Sequence, residues 1–220
     1  MDQKKKSPKG IDRRTFLRNT GVAAAGFTIL PSYVISGLGH TPPSDKLNIA
    51  GVGVGGRGGG VIKAVRSENI VALCDVDWKY AANMLAEFPK AKVFSDWRVM
   101  FDEMKDSIDA VVVGTPDHSH AIVAINAMKL GKHVYCEKPL THSVWESRQM
   151  TEIAREYKVA TQMGNQGHSG EGIRQVCEWI WDGAIGDVYE VHCWTNSPIW
   201  PQNIERPEEI ASLPPTLKWD

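Results

Sequence analysis

Leu47-Asn48-Ile49-Ala50-Gly51-Val52-Gly53-Val54-Gly55-Gly56-Arg57-Gly58-Gly59-Gly60 decides how the rest of the chain is read. Its first six residues form a short apolar run of strand type, and the glycines follow at once. The spacing from Val61 to Arg66 then predicts a helix. A second buried-strand run, Ile70 to Cys74, ends in Asp75-Val76-Asp77, which sets an acid 22 positions past Gly53. A glycine loop alone says little. Between a strand and a helix, with an acid closing the next strand, it is the fingerprint of a dinucleotide site.

Two frames fit the spacing, Gly51-x-Gly53-x-x-Gly56 and Gly53-x-Gly55-x-x-Gly58. The second is preferred, because the strand then reaches Val52 and Asp75 is better spaced. Gly53, Gly55, Gly56, Arg57 and Gly58 are therefore the expected phosphate-side residues. There the backbone approaches the pyrophosphate, whose charge sits at the helix N-terminus. Asp75 is expected to accept hydrogen bonds from the adenine ribose hydroxyls, which favours NAD. Arg57 and Lys79 could soften that preference and leave NADP open.

Outward from this loop the pattern alternates. Strands are predicted near Val93 to Ser95, Ile108 to Gly114, His133 to Cys136 and Val159 to Met163. Helices are predicted over Trp97 to Met104, His118 to Leu130 and Val144 to Tyr157. Strands alternating with helices through short loops mean an α/β fold with a doubly wound parallel Rossmann sheet, whose ligands sit at the strands' carboxyl ends. The unusual residues cluster there, in Gly114-Thr115-Pro116-Asp117-His118-Ser119-His120, in Glu137-Lys138-Pro139-Leu140 and in Gly164-Asn165-Gln166-Gly167-His168-Ser169. His118 and His120 could line a site or cap the helix that begins there.

In order and spacing, strand-GxGxxG-helix, then Thr115-Pro116-x-x-x-His120, then Glu137-Lys138-Pro139 resembles the Gfo/Idh/MocA oxidoreductases, from about Leu47 to Trp200. The resemblance implies hydride transfer between NAD(P) and a secondary alcohol of a sugar, cyclitol or glycoside. It implies that Lys138 is catalytic, contacting substrate hydroxyl and nicotinamide, and that Glu137 holds cofactor ribose. Pro139 would place the lysine, with a cis bond before it left open. Thr115, Pro116, His118 and His120 would line the nicotinamide side, and Asn165 would close that pocket. The family also implies an α+β, mostly antiparallel substrate domain after the nucleotide domain, and a homo-oligomer. Its second catalytic pair, an Asp and a His on a later helix, has no matching position here.

The expected division is therefore an export signal and linker over 1–40, the nucleotide domain over 41–165, and the incomplete start of a substrate domain over 166–220. In the last part a helix is predicted from Ile173 to Trp181 and an alternating strand from Val188 to Trp194. His168 and Trp194 are the substrate-side candidates, with Asn196 and Trp200 behind them. Five of the eight tryptophans fall beyond residue 178. Aromatic walls suit sugar faces, although they serve cores equally well.

The first forty residues carry Lys4-Lys5-Lys6, the twin arginine Arg13-Arg14 followed by Phe16-Leu17, and a glycine- and alanine-rich apolar run from Gly21 to Ile35. This is the pattern of a twin-arginine signal. It predicts that the twin-arginine machinery carries the folded protein to the periplasm, with an uncleaved anchor left open.

Other classes are weakly served. A net charge of -1 provides no basic field for nucleic acid. The four cysteines lie far apart, without metal or disulfide spacing, and three sit in apolar runs where a buried thiol is expected. No acidic residue has ligand spacing to His118, His120 and His168, so no metal is expected. Two other functions share the fold: a glycosidase that uses NAD transiently, and a non-catalytic nucleotide-binding module.

Overall fold

Five strand-to-strand crossovers, each with a helix, build one sheet. The computed structural model describes residues 45–194, 205–206 and 212–218. The strands are β1 (Asn48–Val52), β2 (Asn69–Cys74), β3 (Lys92–Phe94), β4 (Ala110–Val113), β5 (His133–Glu137) and β6 (Thr161–Gly164). The helices are α1 (Gly56–Ala64), α2 (Ala82–Glu87), α3 (Trp97–Met104), α4 (His120–Lys129), α5 (Val144–Tyr157) and α6 (Glu171–Trp181). The sheet order is β3-β2-β1-β4-β5-β6, parallel throughout. The winding reverses between β1 and β4, which is where a doubly wound sheet opens its crevice.

The twofold alternation of side chains sorts the core into two layers. Ala50, Val52, Val111 and Val113 face one way, onto Met100 and Phe101 of α3, Val123 and Met128 of α4, and Met150 of α5. Ile49, Leu73 and Val112 face the other, onto Val61 and Ile62 of α1 and Met84 of α2. Continuous Val-rich strands are what a sheet covered on both faces demands.

Local signals set several helix ends. Asp96 caps α3 by accepting from Arg98 N at 2.8 Å. Ser143 and Glu146 form a capping box, which starts α5 at the residue predicted.

Two expectations need correction. The helix predicted from Val61 begins at Gly56, inside the glycine run. Glycine disfavours helix, but Gly58 and Gly59 are buried here against backbone that admits no side chain, and that close packing carries the helix through them. The strand predicted over Val188 to Trp194 does not form. Alternation gives a segment two faces, but a strand also needs a neighbour to take its backbone hydrogen bonds. None pairs with it among the described residues, and Trp194 is 87% exposed.

The chain divides into two units, Met1–Lys46 and Leu47–Asp220. All but two residues of the first, including the expected export signal, lie outside the described residues, as do Asn196 and Trp200. Residues 212–218 return to the loop after β2, where Leu217 bridges Asp77 and Lys218 N donates to Val76 O at 2.9 Å.

Candidate functional site

The glycine loop is built by backbone-to-backbone approach. Gly53 has φ +73°, and a Cβ there would lie 2.5 Å from Thr115 N. A Cβ on Gly58 would collide with the Gly53 carbonyl, and one on Gly114 would lie 2.5 Å from Gly58 Cα. The end of β1, the start of α1 and the end of β4 therefore meet without side chains between them. This favours the Gly53-Gly55-Gly58 frame: the third glycine permits helix and strand to touch.

Asp75 ends β2 under that loop. Its Oδ2 accepts from Val54 N at 2.8 Å and Gly55 N at 2.9 Å, and its Oδ1 accepts from Asp77 N at 2.9 Å. The carboxylate thus shapes the loop as well as standing at its mouth. Tyr80, which the sequence did not single out, lays its ring on the bare faces of Gly55 and Gly56.

The β5 end is tied to the same loop. Glu137 is buried at 4% exposure, and its Oε1 accepts from Arg57 Nε at 3.1 Å and Gln166 Nε2 at 2.6 Å. Gln166 Nε2 also donates to Tyr135 Oη at 2.6 Å. The Glu137 carboxyl rests on Gly164, where a Cβ would come within 2.8 Å of it. Gln166 is a second residue that sequence reading missed. It lies in a quoted loop, but only the fold shows what it reaches.

His120 is the most buried polar side chain described, at 1% exposure. Its Nδ1 lies 2.6 Å from Pro139 O and its Nε2 lies 2.8 Å from Thr115 O. Both nitrogens are taken up, so the ring neither lines an open wall nor caps α4, whose N-terminus has no side-chain cap. It braces the Thr115 loop to the Lys138-Pro139 loop, which corrects both readings offered above. A neutral ring carries one N–H and donates to one carbonyl; a protonated ring donates to both.

Lys138 is exposed at the end of β5, and the Lys138–Pro139 bond is cis. Pro116 and His118 are exposed in the turn before α4. Thr115 Oγ1 is buried and has no partner. Asn165 is half-buried, with its Oδ1 3.4 Å from Gln162 Nε2, and His168 lies exposed in the turn that follows. The structure gathers the β1, β2, β4, β5 and β6 ends at one edge of the sheet; it does not bring Trp194 into any contact described there.

Burial and the neighbouring Asp75 push the Cys74 thiol up to about 12, and burial with Glu137 does the same to Cys136. Both thiols stay protonated at neutral pH and offer no nucleophile. Cys177 is half-buried and Cys193 exposed, so two of the three thiols expected inside are inside. Among the described residues no three His, Cys, Asp or Glu side chains group as metal ligands. An open groove of about 610 Å³ lies over β4 to β6 beside α1, reaching this edge only through Arg57 and Gln166.

A family described as an oxidoreductase family with an NAD-binding Rossmann fold matches residues 46–165. The chain belongs to the Gfo/Idh/MocA oxidoreductases. A glycosyl hydrolase family 109 protein of Shewanella pealeana is 27% identical over 205 residues, 81% of this chain and 44% of that protein. An inositol 2-dehydrogenase of Rubrobacter xylanophilus is 35% identical over 114 residues, 50% of this chain and 32% of that protein. The crystal structure of myo-inositol 2-dehydrogenase from Lactobacillus plantarum shares the fold, with TM-score 0.60 and 24% identity over 65% of this chain and 43% of that one. The chain spans less than half the length of these relatives.

The residues fit the NAD that defines this Gfo/Idh/MocA domain. Gly55 and Gly56 present backbone without side chains at the start of α1, whose first-turn N–H groups have no acceptor within the helix. A carboxylate, Asp75, ends β2 against the loop, and a lysine, Lys138, follows the end of β5.

Proposed function

We propose that this chain carries the cofactor half of an oxidoreductase that moves hydride between NAD and a secondary alcohol of a sugar, cyclitol or glycoside. The observation that carries it is the meeting of Gly53, Gly58 and Gly114 with Asp75 beneath the loop, at the point where the sheet's winding reverses.

Bound along that crevice, the nicotinamide supplies the hydride acceptor. Asp75 accepts from the adenine ribose hydroxyls and repels a 2′-phosphate, which sets NAD ahead of NADP. Arg57 is a reduced counterweight, since its Nε is engaged by Glu137 Oε1 at 3.1 Å. Lys138 is the catalytic residue: its amine takes the substrate's hydroxyl proton as hydride leaves the carbinol carbon. Glu137 keeps Arg57 and Gln166 in place and turns its second oxygen to ribose. Thr115, Pro116, His118 and Asn165 border the nicotinamide side, with His168 in the turn beyond them as the substrate-side candidate.

Titration of NAD into this chain tests the reading. Asp75→Ala should weaken binding about tenfold or more, from loss of charge-assisted hydrogen bonds and of loop support. Equal affinity of the two chains would count against the assignment of the loop.

A second reading is supported by the likeness to family 109 proteins. The family 109 glycosyl hydrolase matches 81% of the chain, past the nucleotide domain. On that reading the same hydride step is transient: oxidation, elimination, addition of water and reduction, with NAD restored. Release of an aryl glycoside's leaving group without net change in nicotinamide absorbance selects it; net NADH selects the dehydrogenase. We further propose that the twin-arginine segment exports the folded protein.

A further inference from the structure

In a dinucleotide loop the side of the second glycine that lacks a side chain is the side from which the pyrophosphate approaches. In this chain that side is filled by Tyr80. A Cβ on Gly55 would lie 2.6 Å from Tyr80 Cε1, and one on Gly56 would lie 2.6 Å from the Tyr80 hydroxyl oxygen. Ring and hydroxyl thus rest on the loop at the N-terminus of α1, where the phosphate charge would sit.

The ring is held on one side only, since Tyr80 is 69% exposed. The backbone beneath it is fixed much better. Asp77 Oδ1 accepts from Lys79 N at 3.0 Å and from Tyr80 N at 3.3 Å, and Asp77 O accepts from Ala81 N at 3.0 Å. The bridge between Asp77 and Leu217 pins the same turn from outside. A ring free to change rotamer on a turn that cannot follow it has the mechanics of a gate; such side-chain motion is fast compared with loop rearrangement.

We propose that Tyr80 gates the dinucleotide seat: its ring and the cofactor pyrophosphate compete for one volume over Gly55 and Gly56. This rests on the dinucleotide reading above. The apparent affinity is then the intrinsic affinity reduced by the fraction of time the ring stands aside. Asp75 governs which cofactor is held, and Tyr80 governs how readily it enters.

The test titrates NAD into the 220-residue chain, Tyr80→Ala, Tyr80→Trp and Asp75→Ala by calorimetry, with association rates from stopped flow. Tyr80→Ala should bind at least about threefold tighter and faster, and Tyr80→Trp should bind more slowly than wild type. Opposite shifts in the two variants separate a gate from simple damage to the turn. Binding by wild type with Tyr80→Ala unchanged or weaker overturns the gate and leaves the dinucleotide site standing. If neither wild type nor Tyr80→Ala binds NAD, the dinucleotide reading falls and the gate falls with it. Binding by Tyr80→Ala alone supports the gate in its strongest form.

Discussion

His120 shows what a single side chain does here. Two loops that carry proposed site residues, after β4 and after β5, are joined through the one imidazole that touches both Thr115 O and Pro139 O. Removing it takes away the donor that one carbonyl has from a neutral ring, at about 1–3 kcal/mol for a group left unsatisfied, and empties the buried space the ring fills. His120→Ala is expected to cost about 3 kcal/mol in urea unfolding and to weaken NAD binding. A loss under about 1 kcal/mol would mean that the loops hold each other by other means. The cysteines give a second check at this scale. With their thiols near 12, Cys74 and Cys136 have almost no thiolate at pH about 8. A thiol reagent on folded protein should therefore label Cys177 and Cys193 and reach the buried pair only on unfolding. Labelling of all four at equal rates would contradict the burial.

Among elements, α3 and α5 were legible and α1 was not, for a physical reason. Caps are local: Asp96 lies within two residues of the N–H it serves, and Ser143 with Glu146 closes a box inside one turn. Such signals are written in the segment itself. The first turn of α1 is mostly glycine, whose propensity argues against helix, and it is stabilised in part by the close approach of Gly114, which no local window contains. Asp96→Ala should lower stability by about 1 kcal/mol through loss of the cap. The Arg98 hydrogen bond holds the Asp96 carboxyl below the usual carboxylate range. Its share of stability is present above the unfolded-state value of about 4 and is lost as pH falls through the lower folded value. Urea midpoints of wild type and Asp96→Ala should therefore converge as the solution is acidified below about pH 4. A gap that stayed constant would place the stabilisation elsewhere.

At the scale of the molecule, the order β3-β2-β1-β4-β5-β6 sets everything else, because it brings five strand ends to one crevice. The proposed export belongs to this scale too, since the twin-arginine route moves folded protein. Replacing Arg13 and Arg14 with lysine should leave the protein in the cytoplasm, followed by fractionation and immunoblot. Unchanged periplasmic yield would sink the address. Alternating strands and helices, the glycine fingerprint with Asp75, and the Glu137-Lys138-Pro139 loop were readable from sequence, because periodicity and short-range spacing report local geometry. The carboxyl ends of the strands follow from that alternation alone. Only tertiary structure decided that His120 braces rather than lines, that Glu137 is held by Arg57 and Gln166, that Tyr80 lies on the loop, and that Val188 to Trp194 is no strand. Each of these turns on a partner about twenty or more residues away in the chain, or on a neighbour that a segment cannot supply itself. Sequence determines what a segment can do; which partner it meets is settled by packing.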